Sequence, residues 1–407
     1  MKSGAVSALP HVLLAALLVS ACEGNGAPLD ASIDDAGSGR DAQPRDAGPD
    51  SGPPEAFDDF IDYQMRVGGI PGLAAAVIDD GAVELVVTRG MATRTTPVDE
   101  HTLFMVASIS KTFVTALVLS LVEEGRLDLD APIDDVLGYE VRDPARPDAR
   151  ITPRLLLTHA SGLTDDWIYL GDVTREGDPD VTLDAFTRAY LTGERSAGHF
   201  ARAPGTSRDY CNAGFGVLGQ LVEAASGEDL RALSQARLFG PLALDGAGWF
   251  LADVDTTRLA DEMGWNGSTF TPYAQKGFGH YPATSLRISV TGLARFLLAM
   301  MRDGELDGAR VLTPESVAET RRVQDESVSS SQALSWYYRS LAGSRWLGHS
   351  GSAFGTSAQM LYRPEDGRGI VLLTNSDAYL RERVGDPSGD VAMEAILARL
   401  DAEADLR

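Results

Sequence analysis

Lysine is nearly absent from this chain: Lys2, Lys111 and Lys276 stand against 32 arginines. Arginine is the default surface cation, so a retained lysine calls for a reason. Lys111 lies in Ser108-Ile109-Ser110-Lys111-Thr112-Phe113-Val114, which opens an apolar run that stops before Gly125. Residues three apart share a helix face, so the spacing predicts that the side chains of Ser108 and Lys111 point together. A lysine beside buried surface is pushed toward its neutral form, because desolvation penalises the charge. A neutral amine can take the proton of a serine hydroxyl. A serine at a helix start also gains from free backbone N–H groups and the positive end of the dipole, which favour developing negative charge. The pair therefore points to nucleophilic acyl chemistry, with Ser108 as nucleophile and Lys111 as its base. A capping serine followed by a surface lysine has the same spacing, so the pattern needs company.

The elements that must hold such a pair are legible mainly at the two ends of the globular region. Residues 57–67 follow a helical pattern that stops at Gly68-Gly69. Residues 73–78 and 83–88 are β-prone runs around Asp79-Asp80-Gly81, which predicts a hairpin. Residues 359–362 and 370–373 flank Pro364-Glu365-Asp366-Gly367 and predict a second one. A closing helix is expected over 390–400, with Val391, Ala395, Ile396 and Leu400 on its buried side. The middle reads as helix-rich and loop-rich, with few strand pairs. The simplest architecture is α+β: the two ends share one antiparallel sheet flanked by helices, with a helical region inserted between them. Trp336, Tyr337 and Tyr338 line a pocket or form the buried face of a strand, and the sequence leaves both open.

Further motifs stand in order around the Ser-Lys pair. Gly69-Ile70-Pro71-Gly72 precedes the first hairpin, and Leu155-Leu156-Leu157-Thr158-His159-Ala160-Ser161-Gly162-Leu163 follows the apolar helix. Tyr210-Cys211-Asn212, Ser285-Leu286-Arg287 and Gly348-His349-Ser350-Gly351 come later. In this order the segments resemble the serine β-lactamase and penicillin-binding-protein superfamily, in the branch of class C β-lactamases, D-alanyl-D-alanine carboxypeptidases and family VIII esterases. The similarity covers roughly residue 56 to the C-terminus. It implies the β-lactamase/transpeptidase-like fold and an acyl-enzyme on Ser108, with no metal or organic cofactor. It gives Tyr210 the role of protonating the leaving group or helping to activate the deacylating water. It sets Asn212 against Lys111 and the substrate. It builds an oxyanion hole from the N–H groups of Ser108 and Ser352, just after Gly351; such donors are typically worth about 3–4 kcal/mol each. It gives the His159 segment a turn-forming role.

Two positions depart from the family pattern. His349 stands where the family often carries a lysine, and a histidine near its reference pKa is mostly neutral at pH 7. A substrate carboxylate would lose that cation, which favours an esterase-like or peptidase-like substrate over an efficient β-lactamase. Arg339 or Arg345 is the candidate replacement. Cys211 replaces the usual serine between Tyr210 and Asn212, and reads as a small packed residue. The nearest approach to a Gly-x-Ser-x-Gly elbow, Gly348 to Ser352, ends in serine and lacks the strand-to-helix context of an α/β-hydrolase.

The N-terminus reads as an address. Lys2 and an apolar run over 12–19 predict an export signal over 1–21. Val19-Ser20-Ala21-Cys22 looks like a bacterial lipobox, in which Cys22 is acylated and anchors the chain to a membrane of the cell envelope. Residues 22–55 then form an acidic tether: 23–55 hold eight acidic and two basic residues with almost nothing large and apolar. The hydrolase domain is expected over 56–407. A formal net charge of -24 excludes the basic footprint of a nucleic-acid binder. The expected partners are a small ester, amide or cell-wall peptide and the membrane. The alternatives are a D-alanyl-D-alanine carboxypeptidase or weak β-lactamase, and a binding lipoprotein without turnover.

Overall fold

The computed structural model describes residues 53–405. The export signal, Cys22 and nearly all of the tether lie outside the described residues. The elements that matter for the site are α1 (Phe57–Val67), β1 (Gly72–Asp79), β2 (Ala82–Gly90), β3 (Phe104–Met105), α2 (Ser110–Glu123), α3 (Asn212–Ser226), β4 (Arg287–Ile288), α4 (Val290–Met301), β5 (Tyr337–Leu341), β6 (Ser344–Ala353), β7 (Thr356–Arg363), β8 (Arg368–Thr374) and α5 (Ser388–Ala404).

The two ends of the chain build one six-stranded antiparallel sheet in the order β5-β6-β7-β8-β1-β2. The first hairpin turns at Asp80 and Gly81, with φ of 46° and 74°. Positive φ at both central residues is the type I′ geometry that matches strand twist. Strand β1 is buried on both faces, so its side chains divide with period two. Leu73, Ala75 and Val77 join Ile370 and Leu372 of β8 under α1 and α5, whereas Ala74, Ala76 and Ile78 join Val371 and Leu373 on the opposite face. Each large apolar side chain buried in this way contributes about 1.5–3 kcal/mol.

Helix α5 is longer than the sequence pattern suggests and is rotated about its axis. Val391 is 61% exposed and Ala395 half-buried, while Gly389, Ala392, Met393, Ile396, Leu397 and Leu400 are buried. The latter set has the alternating three- and four-residue spacing that one helix face needs. Val391 falls outside it.

The inserted middle region is helical, with short two-stranded pieces that the sequence did not reveal. One of these, β3 with β4, pairs Met105 with Arg287 and ties the residues before Ser108 to the Ser285–Arg287 segment. Strands of two residues are too short to carry a period-two signal. Helix α2 runs through the core, with every residue from Ser110 to Leu121 buried, and the Phe113 ring stacks on Phe296 with centroids 3.8 Å apart. Among the described residues no helix is long and apolar enough to cross a membrane.

Candidate active site

Ser108 sits one turn ahead of α2, in a 3₁₀ turn over Ala107–Ile109. The residue before it, Ala107, has φ of 45°. A non-glycine residue in this left-handed region costs on the order of 1–3 kcal/mol and persists only where its surroundings enforce it. Those surroundings are on both sides. The Val106 N–H donates to Leu286 O at 2.9 Å, and the Leu286 N–H donates to Ser110 Oγ at 3.1 Å. Thr356 Oγ1 donates to Met105 O at 2.6 Å.

Lys111 is fully buried. Its Nζ lies 3.0 Å from Ser108 Oγ, 2.9 Å from Asn212 Oδ1 and 2.8 Å from Ala283 O. The last two oxygens only accept, so two N–H bonds of the amine are committed to them. The third position on the nitrogen faces Ser108. Filled by a proton, it donates to the hydroxyl; as a lone pair, it accepts the hydroxyl proton. Tyr210 Oη lies 2.9 Å from the same Ser108 Oγ, so the nucleophile sits between two groups able to take its proton. Lys111 Nζ also lies 4.9 Å from the Tyr210 ring centroid.

Strand β6 supplies the facing wall. The Ser350 N–H points away from β7, because it donates to Tyr337 Oη at 3.2 Å. N–H groups two residues apart in a strand point to the same edge, so the Ser352 N–H also points to that edge. Gly351 brings this edge against the nucleophile's turn: a Cβ there would sit 2.1 Å from Val106 O. Only glycine permits so close an approach of β6 to the turn bearing Ser108.

His349 is fully buried, so it lies beneath the cleft and offers no surface to a substrate. Its Nδ1 is 2.6 Å from Ser350 O. Burial first, then the charge of Lys111, holds its pKa down to about 3, so it is neutral at pH 7. Neither candidate replacement cation serves the site. Arg339 pairs with Glu394 of α5, and Arg345 lies over the Tyr338 ring at 3.8 Å. The aromatic trio divides: Trp336 is core, Tyr338 donates to Arg321 O, and Tyr337 packs edge-on to His349 with its Oη 2.7 Å from Ser350 Oγ.

Buried His280 is likewise held down to about 3, by burial and then by Lys111. Both histidines titrate near 6.5 when unfolded, so between about 3 and 6.5 the unfolded chain binds more protons. Their contribution to stability is complete above about 6.5 and is lost as the pH falls toward 3. Melting temperature is expected to fall over that range. Calorimetry on His280→Gln should show a shallower fall than wild type.

One positioning residue escaped the sequence reading. Asp165, half-buried in the loop after Leu163, accepts four bonds: from Asn212 N at 3.1 Å, Asn212 Nδ2 at 2.8 Å, Ala213 N at 2.9 Å and Cys211 Sγ at 3.4 Å. Burial raises its pKa, and the N–H donors of Ala213 and Asn212 oppose the rise. By taking Asn212 Nδ2 it leaves Oδ1 to accept from Lys111, which fixes the amide orientation. Cys211 is a packed residue: buried, its thiol pushed up by burial, with Sγ accepting from Gly214 N at the start of α3. His159 turns the chain with φ of 57° and also grips the tyrosine. It takes the Asp209 N–H on its carbonyl oxygen at 2.7 Å and the Cys211 N–H on Nδ1 at 3.1 Å, and its ring stacks on Tyr210 at 4.1 Å. Asp165→Ala is expected to lower kcat by roughly 10- to 100-fold, the cost of about an ångström of misplacement. KM should change far less, and steady-state kinetics with a circular dichroism control checks both.

The sequence model of the Beta-lactamase family matches residues 57–391, and the chain belongs to that family. Curated relatives are named as a D-aminopeptidase and an esterase, and the chain is a serine hydrolase. It is 28% identical over 351 residues to penicillin-binding protein 4 of Amycolatopsis lactamdurans, across 81% of this chain and 88% of the relative. It is 32% identical over 206 residues to esterase EstB of Burkholderia gladioli, across 49% of this chain and 52% of the relative. The fold matches D-amino acid amidase from Ochrobactrum anthropi SV3, solved with L-phenylalanine amide, at a TM-score of 0.68 and 19% identity, over 86% of this chain and 99% of that one. Among other curated relatives some are longer, and the chain spans 60% of their length.

Proposed function

We propose that the chain hydrolyses small esters or D-amino-acid amides through an acyl-enzyme on Ser108, as an exported protein tethered to the cell envelope. The observation that carries this reading is Ser108 Oγ held 3.0 Å from Lys111 Nζ and 2.9 Å from Tyr210 Oη. Ser108 Oγ attacks the carbonyl carbon while its proton passes to Lys111 or Tyr210. The carbonyl oxygen becomes an oxyanion, received by the N–H groups of Ser108 and Ser352. Collapse of the tetrahedral species expels the alcohol or amine, which leaves with that proton. Water then attacks the ester to Ser108 and gives a proton to the same pair; collapse returns that proton to Ser108 Oγ and releases the acid. Asn212 keeps Lys111 aimed through both halves. Neutral, buried His349 in the third motif supports ester and amide substrates over β-lactams.

A substrate panel tests the reading with residues 56–407: p-nitrophenyl butyrate, a D-amino-acid amide, a D-alanyl-D-alanine peptide and nitrocefin. The expected result is turnover of the ester, the amide or both, with nitrocefin slowest. Nitrocefin as the fastest substrate would make the protein a β-lactamase. No turnover of any, with no fluorophosphonate adduct on Ser108, would make it a binding protein. The tether is supported by Lys2, the apolar run over 12–19 and Cys22. Membrane fractionation of the full chain against Cys22→Ala tests it: the wild type should sediment with membrane and the variant should be released.

A further inference from the structure

Strand β6 is an edge strand where it passes the nucleophile. Its neighbour β5 pairs with it only from Ser344 to Gly348, and among the described residues no strand pairs with the same edge at Ser350 and Ser352. An unpaired edge presents N–H and C=O groups that an extended backbone can join as an added strand. In an antiparallel pair both groups of one residue point to the same side, so the pairing positions on this edge are Ser352 and, about 7 Å along the strand, Ser350. The Ser352 N–H is an oxyanion donor. Ser350 is the next position that a substrate backbone running along β6 would reach.

That position is already filled from within. The Ser350 N–H donates to Tyr337 Oη at 3.2 Å, and Ser350 O lies 2.6 Å from His349 Nδ1. A carbonyl oxygen only accepts, so the imidazole donates there. Tyr337 stands opposite Gly348 at the start of β5, which makes Ser350 its diagonal neighbour, within reach of an aromatic side chain. Gly348 places no side chain between them. The phenol is held in place: its Oη is also 2.7 Å from Ser350 Oγ, and its ring packs edge-on to His349 with centroids 5.3 Å apart. Tyr337 and Ser350 are both half-buried, at the border of the cleft, above the fully buried His349.

We propose that Tyr337 is a specificity-determining residue that, with His349, closes the β6 edge beyond Ser352. The preferred esters and amides then present a single backbone unit to this edge, and a peptide chain that continues along β6 toward Ser350 is excluded. Single-residue D-amino-acid amides and simple esters are selected over peptides. The assignment deepens the hydrolase reading and rests on it for the role of Ser352.

Binding tests this without turnover. The full chain carrying Ser108→Ala is titrated calorimetrically with N-acetyl-D-alaninamide and with the N-acetyl amides of di- and tri-D-alanine, which are neutral at both ends. With Tyr337 in place, affinity should stay within about twofold as the ligand lengthens. Adding Tyr337→Ala frees the Ser350 N–H for one further hydrogen bond, so the two longer ligands should gain roughly 3- to 10-fold over the one-residue ligand. Tyr337→Phe frees the same N–H but keeps the ring, and should show part of that gain. Thermal melts control for folding, and should Tyr337→Ala fail to fold, Tyr337→Phe decides. Affinity that rises with length while Tyr337 is present, or a length dependence that neither substitution moves, overturns the proposal, as does failure of every ligand to bind. If the substitutions introduce the length dependence while the substrate panel shows no turnover, the closed edge stands and the hydrolase reading falls. Turnover without any such change leaves the hydrolase and removes this role of Tyr337.

Discussion

Ser108→Ala is expected to lower kcat toward p-nitrophenyl butyrate by roughly 10^4- to 10^6-fold, the scale seen when a covalent nucleophile is removed. The groups nearest to it are committed elsewhere. Lys111 is enclosed by Asn212 Oδ1 and Ala283 O, Tyr210 Oη is directed at the missing hydroxyl, and Cys211 points away from the cleft into Asp165. The fold should survive, because Ser108 Oγ holds up no backbone: its contacts are Lys111 and Tyr210. Residual activity reports what the oxyanion donors and binding achieve alone. Steady-state kinetics with a thermal melt checks both halves. Loss of less than tenfold would place the nucleophile elsewhere.

Lys111→Arg is expected to be nearly as damaging, at roughly 10^2- to 10^4-fold in kcat, the usual worth of a general base. Arginine keeps a positive charge and can donate to Ala283 O and Asn212 Oδ1, but it does not deprotonate in proteins and so cannot take the Ser108 proton. Lys111→Met removes the base and also leaves those two acceptors without their donor. Each orphaned buried acceptor costs about 1–3 kcal/mol, so this variant should lose stability as well as activity. The two substitutions separate base from scaffold. Rates for Lys111→Arg within tenfold of wild type would mean that Tyr210 alone takes the proton.

Motif order in the sequence identified Ser108, Lys111, Tyr210 and Asn212 as candidates, and the fold brings them within hydrogen-bond reach across about a hundred residues of chain. It also pointed to both terminal hairpins and the helices that flank the sheet, because long strands and helices carry strong periodic signals. The rest depended on tertiary placement. Asp165 reads in sequence as one of two adjacent acidic residues, yet Asp166 caps the helix at Trp167–Asp172 while Asp165 turns inward to Asn212. The adjacent pair in an otherwise apolar segment was the available signal. Periodicity alone puts Val391 in the buried stripe of the closing helix, because it does not set the rotation of a helix against its sheet.

The proposed chemistry passes through a covalent intermediate at Ser108. Acid quenching during turnover of p-nitrophenyl butyrate, followed by intact-mass and peptide mass spectrometry, reads it directly. The predicted result is a butyryl adduct on the peptide containing Ser108, absent from Ser108→Ala. Turnover with no adduct, or an adduct on any other residue, would contradict it.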